Sequence, residues 1–182
     1  VQFLRSVRLV PTRSAQTVER LGKYNRTLRA GFHALIPFVD RVGMTLDLKE
    51  ETIDVPPQRC FTGDEVGVEV DGVIYMSVTD PLKASYGVTD YSFAAMQLAQ
   101  TTTRSVIGTL ELDRTFEERD LISSKVVEVL EKSGGIWGIR VHRNEIKKLA
   151  RPATVKEAME KQVTAERNRR AIVAKSEGEK QS

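Results

Sequence analysis

From Glu65 to Val78 the sequence runs EVGVEVDGVIYMSV. Val66, Val68, Val70, Gly72, Ile74, Met76 and Val78 alternate with Glu65, Gly67, Glu69, Asp71, Val73, Tyr75 and Ser77. Successive side chains of a strand point to opposite faces, so this period of two predicts a long strand with one buried face. A one-residue slip would turn the whole apolar set to water, so the register is strongly constrained. Any fold for this chain must supply a layer to cover that face.

The same β texture extends upstream to about Val7. Val42, Met44, Leu46 and Leu48 predict a shorter alternating strand. Gly63-Asp64 separates two strand-like runs and predicts a turn. Pro56-Pro57 removes two backbone donors, so a strand there is expected to be short or at a sheet edge.

After Asp80-Pro81 the period changes. Asp90 is expected to cap a helix whose apolar face is Phe93, Met96, Ala99, Val106, Ile107 and Leu110. Thr115-Phe116-Glu117-Glu118 has capping-box spacing and is expected to open a second helix carrying Ile122, Val126, Val129 and Leu130. Ser133-Gly134-Gly135 is expected to close it. Ile139 and Val141 alternate with Arg140 and His142, which predicts one more strand. Pro152 marks a boundary, giving a globular domain over 1–151 and the start of a helix over 152–182.

Twelve of the thirty residues from Ala153 to Ser182 are charged, with one glycine and no proline. Val155, Met159, Val163, Ile172 and Val173 fall only partly into a stripe, and such a helix is marginal alone in water. Two readings follow: an association helix that lies against copies of itself or another helix, or a solvated tail.

Catalytic and nucleic-acid chemistry find little support. The chain holds 28 basic and 25 acidic residues in mixed order, and aromatics are only 6%. A nucleic-acid surface needs a concentrated basic patch with interleaved aromatics. His33 and His142 lie far apart, Cys60 stands alone, and no spacing fits a metal or cofactor site. No nucleophile elbow, phosphate loop or dinucleotide fingerprint is present. Paired acids such as Glu50-Glu51, Glu111 with Asp113, and Glu117-Glu118 with Asp120 read as solvated faces. Cys60 reads as a small apolar filler, and a single cysteine excludes an intrachain disulfide. Asn25-Arg26-Thr27 matches a glycosylation sequon, a pattern too short to carry weight.

No stretch reaches the roughly 18 apolar residues of a membrane-spanning helix. Yet the sequence begins at Val1 rather than Met and stops within a helix at Ser182, so both ends read as boundaries within a longer protein. One segment stands out. Gly31 to Val39, GFHALIPFV, is apolar and lies between Arg29 and Asp40-Arg41. It reads either as a buried strand or loop, or as an apolar loop resting at a bilayer with Arg29 and Arg41 near lipid head groups. Phe32, Leu35, Ile36, Pro37 and Phe38 are its candidate membrane-proximal residues.

Several segments, in order along nearly the whole chain, resemble the stomatin/prohibitin/flotillin (SPFH, band-7) group, most closely its stomatin-like (slipin) branch. They are Thr17 to Tyr24 (TVERLGKY), Gly31 to Arg41 (GFHALIPFVDR), Val73 to Pro81 (VIYMSVTDP), Thr103 to Asp113 (TRSVIGTLELD), Glu118-Arg119-Asp120, Trp137 to Val141 (WGIRV) and Ala165 to Gly178. Two positions depart from the group. Cys60 to Gly67 replaces its common Lys-Asp-Asn turn, and Arg114 stands where an acid is frequent.

The resemblance implies an α+β fold: a curved, mostly antiparallel sheet with packed helices, then a long C-terminal helix of coiled-coil type. It implies a homo-oligomer that organises membrane microdomains and regulates a membrane protease or channel, without enzymatic activity or cofactor. It also implies an apolar anchor before Val1. The expected function is therefore a membrane-associated oligomeric scaffold, by charge and cysteine usage at the cytoplasmic face. Two alternatives are a monomeric binding module that recruits a membrane protease, and a hydrolase with an unrecognised dyad.

Overall fold

The long alternation folds as the strand it predicts. In a computed structural model, residues 6–151 and 155–180 are described, and within the latter segment the side chains of 160–176 and 178. Strand β7 (Gly67–Val78) buries Val68, Val70, Gly72, Ile74, Met76 and Val78, and leaves Glu69, Asp71, Tyr75 and Ser77 partly in solvent.

Seven further strands surround it in sequence: β1 (Val7–Val10), β2 (Ser14–Arg20), β3 (Lys23–Leu28), β4 (Gly31–Ala34), β5 (Asp40–Asp47), β6 (Glu51–Phe61) and β8 (Ile139–Ala150). Helices α1 (Pro81–Tyr86), α2 (Tyr91–Thr109), α3 (Leu112–Glu117) and α4 (Arg119–Trp137) lie between β7 and β8, and α5 (Val155–Lys180) follows. The strands make three sheets, ordered β1-β4, β3-β2-β5 and β6-β7-β8. The pairs β1/β4, β2/β3, β2/β5 and β6/β7 are all antiparallel. Strand β8 runs against β7 too: Ser77 meets His142 while Gly72 meets Glu145. The fold is the α+β class expected.

Helices α2 and α4 cover the β6-β7-β8 sheet. The main core joins Ile74 and Met76 of β7 to Ala95 and Ala99 of α2, Val126 and Leu130 of α4, and Leu46 of β5. A second cluster at the far end of the sheet joins Cys60, Val68, Ile107 and Ile122. A third, small core of Val10, Val18, Leu28 and Leu35 holds β1 to β5 together.

Three local expectations are corrected. The apolar line of α2 is Ala95, Ala99, Thr102, Thr103 and Ile107, while Phe93 is 56% exposed. Small residues bring α2 close to the sheet, and Asp90 caps it as expected by accepting from the Phe93 amide at 3.1 Å. Thr115 opens no helix: it is buried inside α3 and its hydroxyl donates to the Glu111 carbonyl at 2.8 Å. Gly134-Gly135 does not close α4, which continues to Trp137 and ends at Gly138, whose φ of 69° is left-handed. The expectation for Pro56-Pro57 holds in its second form, since β6 is long and lies at a sheet edge. The strand runs through Pro56-Pro57, which occupy a register shift between Val55 and Gln58. A bulge leaves backbone donors unpaired, so prolines lose nothing there.

The chain divides into two compact units, one ending at Leu149 and the other beginning at Ala150. Pro152, the expected boundary, lies outside the described residues.

Candidate functional site

The residues that could carry chemistry are held by packing contacts. Cys60 is 1% exposed, and burial pushes its thiol pKa up, partly offset by the Arg104 guanidinium. Burial of that kind disfavours the thiolate needed for nucleophilic work. The Gln58 amide donates to the Gln100 carbonyl at 2.9 Å and accepts from Arg104 at 3.1 Å. Beside it a void of about 10 Å³, lined by Val55, Asp71, Thr103 and Asn144 among others, is the size of one water. His142 is exposed on β8 with its Nε2 2.9 Å from Ser77 Oγ, and His33 Nε2 lies 2.7 Å from the Arg29 carbonyl. Among the described residues no group of three or more His, Cys, Asp and Glu could hold a metal.

The unusual surface is in the small β1–β5 module. Strands β1 and β4 pair Leu9 with Phe32. The chain then turns through residues 35–40 into β5. Asp40 fixes this turn: its carboxylate accepts from the Ile36 amide at 3.0 Å, and its own amide donates to the Ile36 carbonyl at 3.0 Å. Arg20 holds the same carboxylate in a two-pronged pair at 2.7 and 3.1 Å. Phe38 sits at the tip with φ 69°, and Leu21 on the neighbouring β2–β3 turn has φ 50°. The Leu21 amide donates to the Val39 carbonyl at 3.3 Å, so the two turns are joined. Each bulky side chain in the left-handed region costs on the order of 1 kcal/mol, and such strain concentrates at functional places.

The exposures are large. Phe38 is 89% exposed, Leu21 82%, Leu9 77%, Phe32 67% and Ile36 50%. Pro37 is exposed with them. Leu35, a fifth expected loop residue, is only 7% exposed and packs in the small core instead, because the alternation of β4 turns it inward. It anchors the loop rather than forming its outer face. Leu9 and Leu21 were not singled out from the sequence; an apolar residue before the glycine of a two-strand turn, as in Leu21-Gly22, is the signal that finds the latter. A cleft of about 410 Å³ lies beside the tip, lined by Leu35 to Phe38, Asp40, Val42, Arg8 and Arg41.

Charge is segregated accordingly. Residues 6–48 hold seven basic and three acidic side chains, whereas residues 49–151 hold 13 basic and 17 acidic. The apolar tip thus lies in the basic part of a globular unit whose remainder is acidic.

Arg20 and the Ile36 amide hold the Asp40 carboxyl down at about 2. A carboxylate with a depressed folded pKa stabilises above its unfolded pKa and loses that contribution as pH falls through the folded value. The turn is therefore expected to stay ordered down to about pH 4 and to loosen between pH 4 and 2. Backbone amide exchange at Ile36 across pH checks this, with Asp40→Asn expected to show the loosened turn already at neutral pH.

Helix α5 presents a second surface. Its described side chains from Glu160 to Ser176 are all exposed, including Val163 at 50%, Ile172 at 69% and Val173 at 48%. Nine residues of a helix make about two and a half turns, so Val163 and Ile172 lie on opposite sides. Glu166 and Arg170 pair along the helix at 3.0 Å. The side chains of Val155 and Met159 lie outside the described residues. No helix among the described residues is long and apolar enough to cross a membrane.

Comparison with known proteins agrees with the earlier resemblance. Residues 8–180 match the family described as SPFH domain / Band 7 family. The chain is 46% identical over 176 residues to human "Stomatin-like protein 2, mitochondrial", covering 97% of this chain and 49% of that protein. It is 43% identical over 172 residues to "Stomatin-like protein stl-1" of Caenorhabditis elegans, covering 94% of this chain and 53% of that protein. An "Uncharacterized protein" of Methanothermobacter thermautotrophicus is 43% identical over all 182 residues, which make up 57% of its length. The chain thus spans about half the length of the curated relatives it matches.

Proposed function

The chain belongs to the SPFH domain / Band 7 family, and from that premise we propose that it is the globular and helix-starting part of a membrane-associated scaffold, docked on the bilayer by its apolar turn and held to its neighbours through α5. The observation that carries the reading is the tip itself. Phe38 is 89% exposed in a strained turn, with Leu21, Phe32 and Ile36 beside it and Arg8 and Arg41 at its flank. Scattered exposed apolar residues are ordinary, but a contiguous group rimmed by basic side chains is the mark of an interaction surface. A bilayer suits it. Phe and Leu enter the acyl boundary while arginines stay at the head groups, and each basic residue near an anionic surface adds roughly 1 kcal/mol.

On this reading the protein performs no reaction. Many weak contacts, one tip and one helix per copy, sum to a stable assembly at the membrane. The assembly then positions or restrains a client such as a membrane protease or channel.

Phe38→Glu tests the docking. Burying a phenylalanine in the interface is worth about 1.5–3 kcal/mol, so partition onto vesicles should fall roughly tenfold to a hundredfold. Flotation with vesicles measures it, with circular dichroism as the control on folding. Unchanged partition would remove the tip from the bilayer, and loss of the fold would show a buried role for Phe38.

A second reading takes support from α5, whose described residues are exposed and whose apolar stripe is broken. It is a monomeric module whose helix engages a client instead of a copy. Sedimentation of the 182-residue chain over a wide concentration range separates the two: a mass that never rises above the monomer favours the module.

A further inference from the structure

Three side chains of different chemistry form a row across the β3-β2-β5 sheet. Glu19 of β2 stands opposite Tyr24 of β3 on one side and Arg41 of β5 on the other. Directly opposed residues of an antiparallel pair share a face, so Tyr24, Glu19 and Arg41 project together. That face is the reverse of the small core, into which their strand neighbours Val18 and Val42 turn.

Helix α1 reaches this row. Its last residue, Tyr86, meets Tyr24 edge to face, with ring centroids 5.7 Å apart and ring planes at 69°. The Tyr86 hydroxyl donates to Glu19 Oε1 at 2.8 Å. Gly43 makes room for this arrangement: a Cβ there would stand 3.2 Å from Glu19 Oε1. Glu19 therefore reaches past Gly43 towards Tyr86 instead of pairing with Arg41 opposite it. Among the described residues neither the Glu19 carboxylate nor the Arg41 guanidinium makes an ion pair.

The row thus offers an angled aromatic pair, a carboxylate without a counter-ion and a guanidinium without one. Tyr24 is 39% and Tyr86 47% exposed, so both rings are open to a ligand. Aromatic faces beside a carboxylate attract an organic cation, and a guanidinium takes a phosphate. A ligand carrying both charges a few ångströms apart leaves neither protein charge unmatched. A quaternary ammonium suits the corner better than a primary one, because it has no N–H to satisfy and Glu19 already accepts from Tyr86.

The place of the row favours a lipid as that ligand. Leu21, exposed at the tip, lies two residues beyond Glu19, about 7 Å along the strand. The head-group layer on each side of a bilayer is roughly 5–7 Å deep. With Leu21 and Phe38 at the acyl boundary, the row lies among the head groups.

We infer that Tyr24, Tyr86 and Glu19 receive the quaternary ammonium of a phosphatidylcholine head group while Arg41 takes its phosphate. The inference rests on the docking of the tip on the bilayer and adds which lipid the docked chain selects.

The experiment floats the 182-residue chain with two kinds of vesicle holding the same share of phosphatidylglycerol. The remainder is phosphatidylcholine in one and digalactosyldiacylglycerol, whose head group is uncharged, in the other. The parent chain is expected to partition about tenfold more strongly onto the first. Glu19→Gln and Tyr24→Leu should each bring that preference below about threefold and keep partition onto the galactolipid vesicles, with circular dichroism as the control on folding. Removing an acid draws any chain towards an anionic surface, so bulk charge predicts stronger binding of Glu19→Gln to both vesicles. A loss confined to phosphatidylcholine is therefore the mark of the site. Equal partition of the parent chain onto both kinds overturns the head-group site and leaves the docking of the tip standing. Binding to neither overturns both. If Tyr24→Leu weakens partition onto both kinds alike, the tyrosine pair only holds α1 to the hairpin, and the head-group site falls.

Discussion

Gly138→Ala is expected to lower the stability of the globular unit by about 3 kcal/mol. Gly138 ends α4 with φ 69°, a conformation a side chain adopts at a cost of about 1 kcal/mol. Space adds to the conformational cost. A Cβ there would stand 2.4 Å from the Asp80 carbonyl oxygen and 2.8 Å from Lys83 Cβ. The first of these is backbone, so the chain must move, and such overpacking costs roughly 1–3 kcal/mol.

The Gly138 carbonyl accepts from the amides of Thr79 and Asp80 at 2.8 and 3.0 Å. It thereby ties the start of β8 to the end of β7 and to the Asp80 cap of α1. Gly135→Ala is the control. A Cβ there meets nothing within 4 Å, and alanine inside a helix gains about 0.5–1 kcal/mol over glycine. Urea denaturation of both variants should show opposite shifts of midpoint. Equal, small shifts would mean that the turn at Gly138 is soft.

The same glycine explains part of what the sequence could and could not show. Gly134, Gly135 and Gly138 are alike in composition, and Ser133-Gly134-Gly135 has the stronger stop signal. Gly134 serves a different need: a Cβ there would lie 2.9 Å from the Ile139 carbonyl oxygen, so the residue is small to let β8 pass. That approach is tertiary and leaves no trace in local spacing. Thr115 misleads for a related reason. Its spacing to Glu118 fits a capping box, but burial against the core favours donation to the carbonyl four residues back.

What was legible is what periodicity enforces. Strand β7 is buried on one face along its length, and its alternation could not have meant anything else. Helix α4 follows Ile122, Val126 and Leu130, all fully buried at helical spacing. Helix α2 was legible in existence but not in orientation. Its inward residues are alanines and threonines, whose small size signals close approach rather than hydrophobicity.

The candidate surface was half legible. An apolar run between arginines predicts a special loop, and it contains Phe32, Ile36, Pro37 and Phe38. Which member turns inward depends on the pairing of β4 with β1, and that sends Leu35 to the core. Leu21 joins the tip through a contact between two turns, and its place before Gly22 is the one local trace of that role.

Leu130→Ala is expected to cost about 3–5 kcal/mol, a large share of the roughly 5–15 kcal/mol that holds an ordinary domain folded. Leu130 is fully buried between α4 and the sheet, in the cluster that includes Ile74, Met76, Val126 and Leu46. Interiors close only partly around a lost isobutyl group, so the cavity adds to the transfer cost.

The consequence for function is separable. The apolar tip is anchored by a different core, Val10, Val18, Leu28 and Leu35, which Leu130 does not enter. Below its lowered melting temperature, Leu130→Ala should therefore partition onto vesicles like the parent chain. Leu28→Ala should behave the other way. It hollows the small core beneath the tip, loosens the turn that holds Phe38, and reduces partition at temperatures where the sheet and its helices stay folded. Thermal denaturation and vesicle flotation on the two variants decide the matter. If Leu130→Ala weakens binding as much as Leu28→Ala does, the tip depends on the whole globular unit. Opposite responses would show that the β1–β5 module carries the membrane contact on a core of its own.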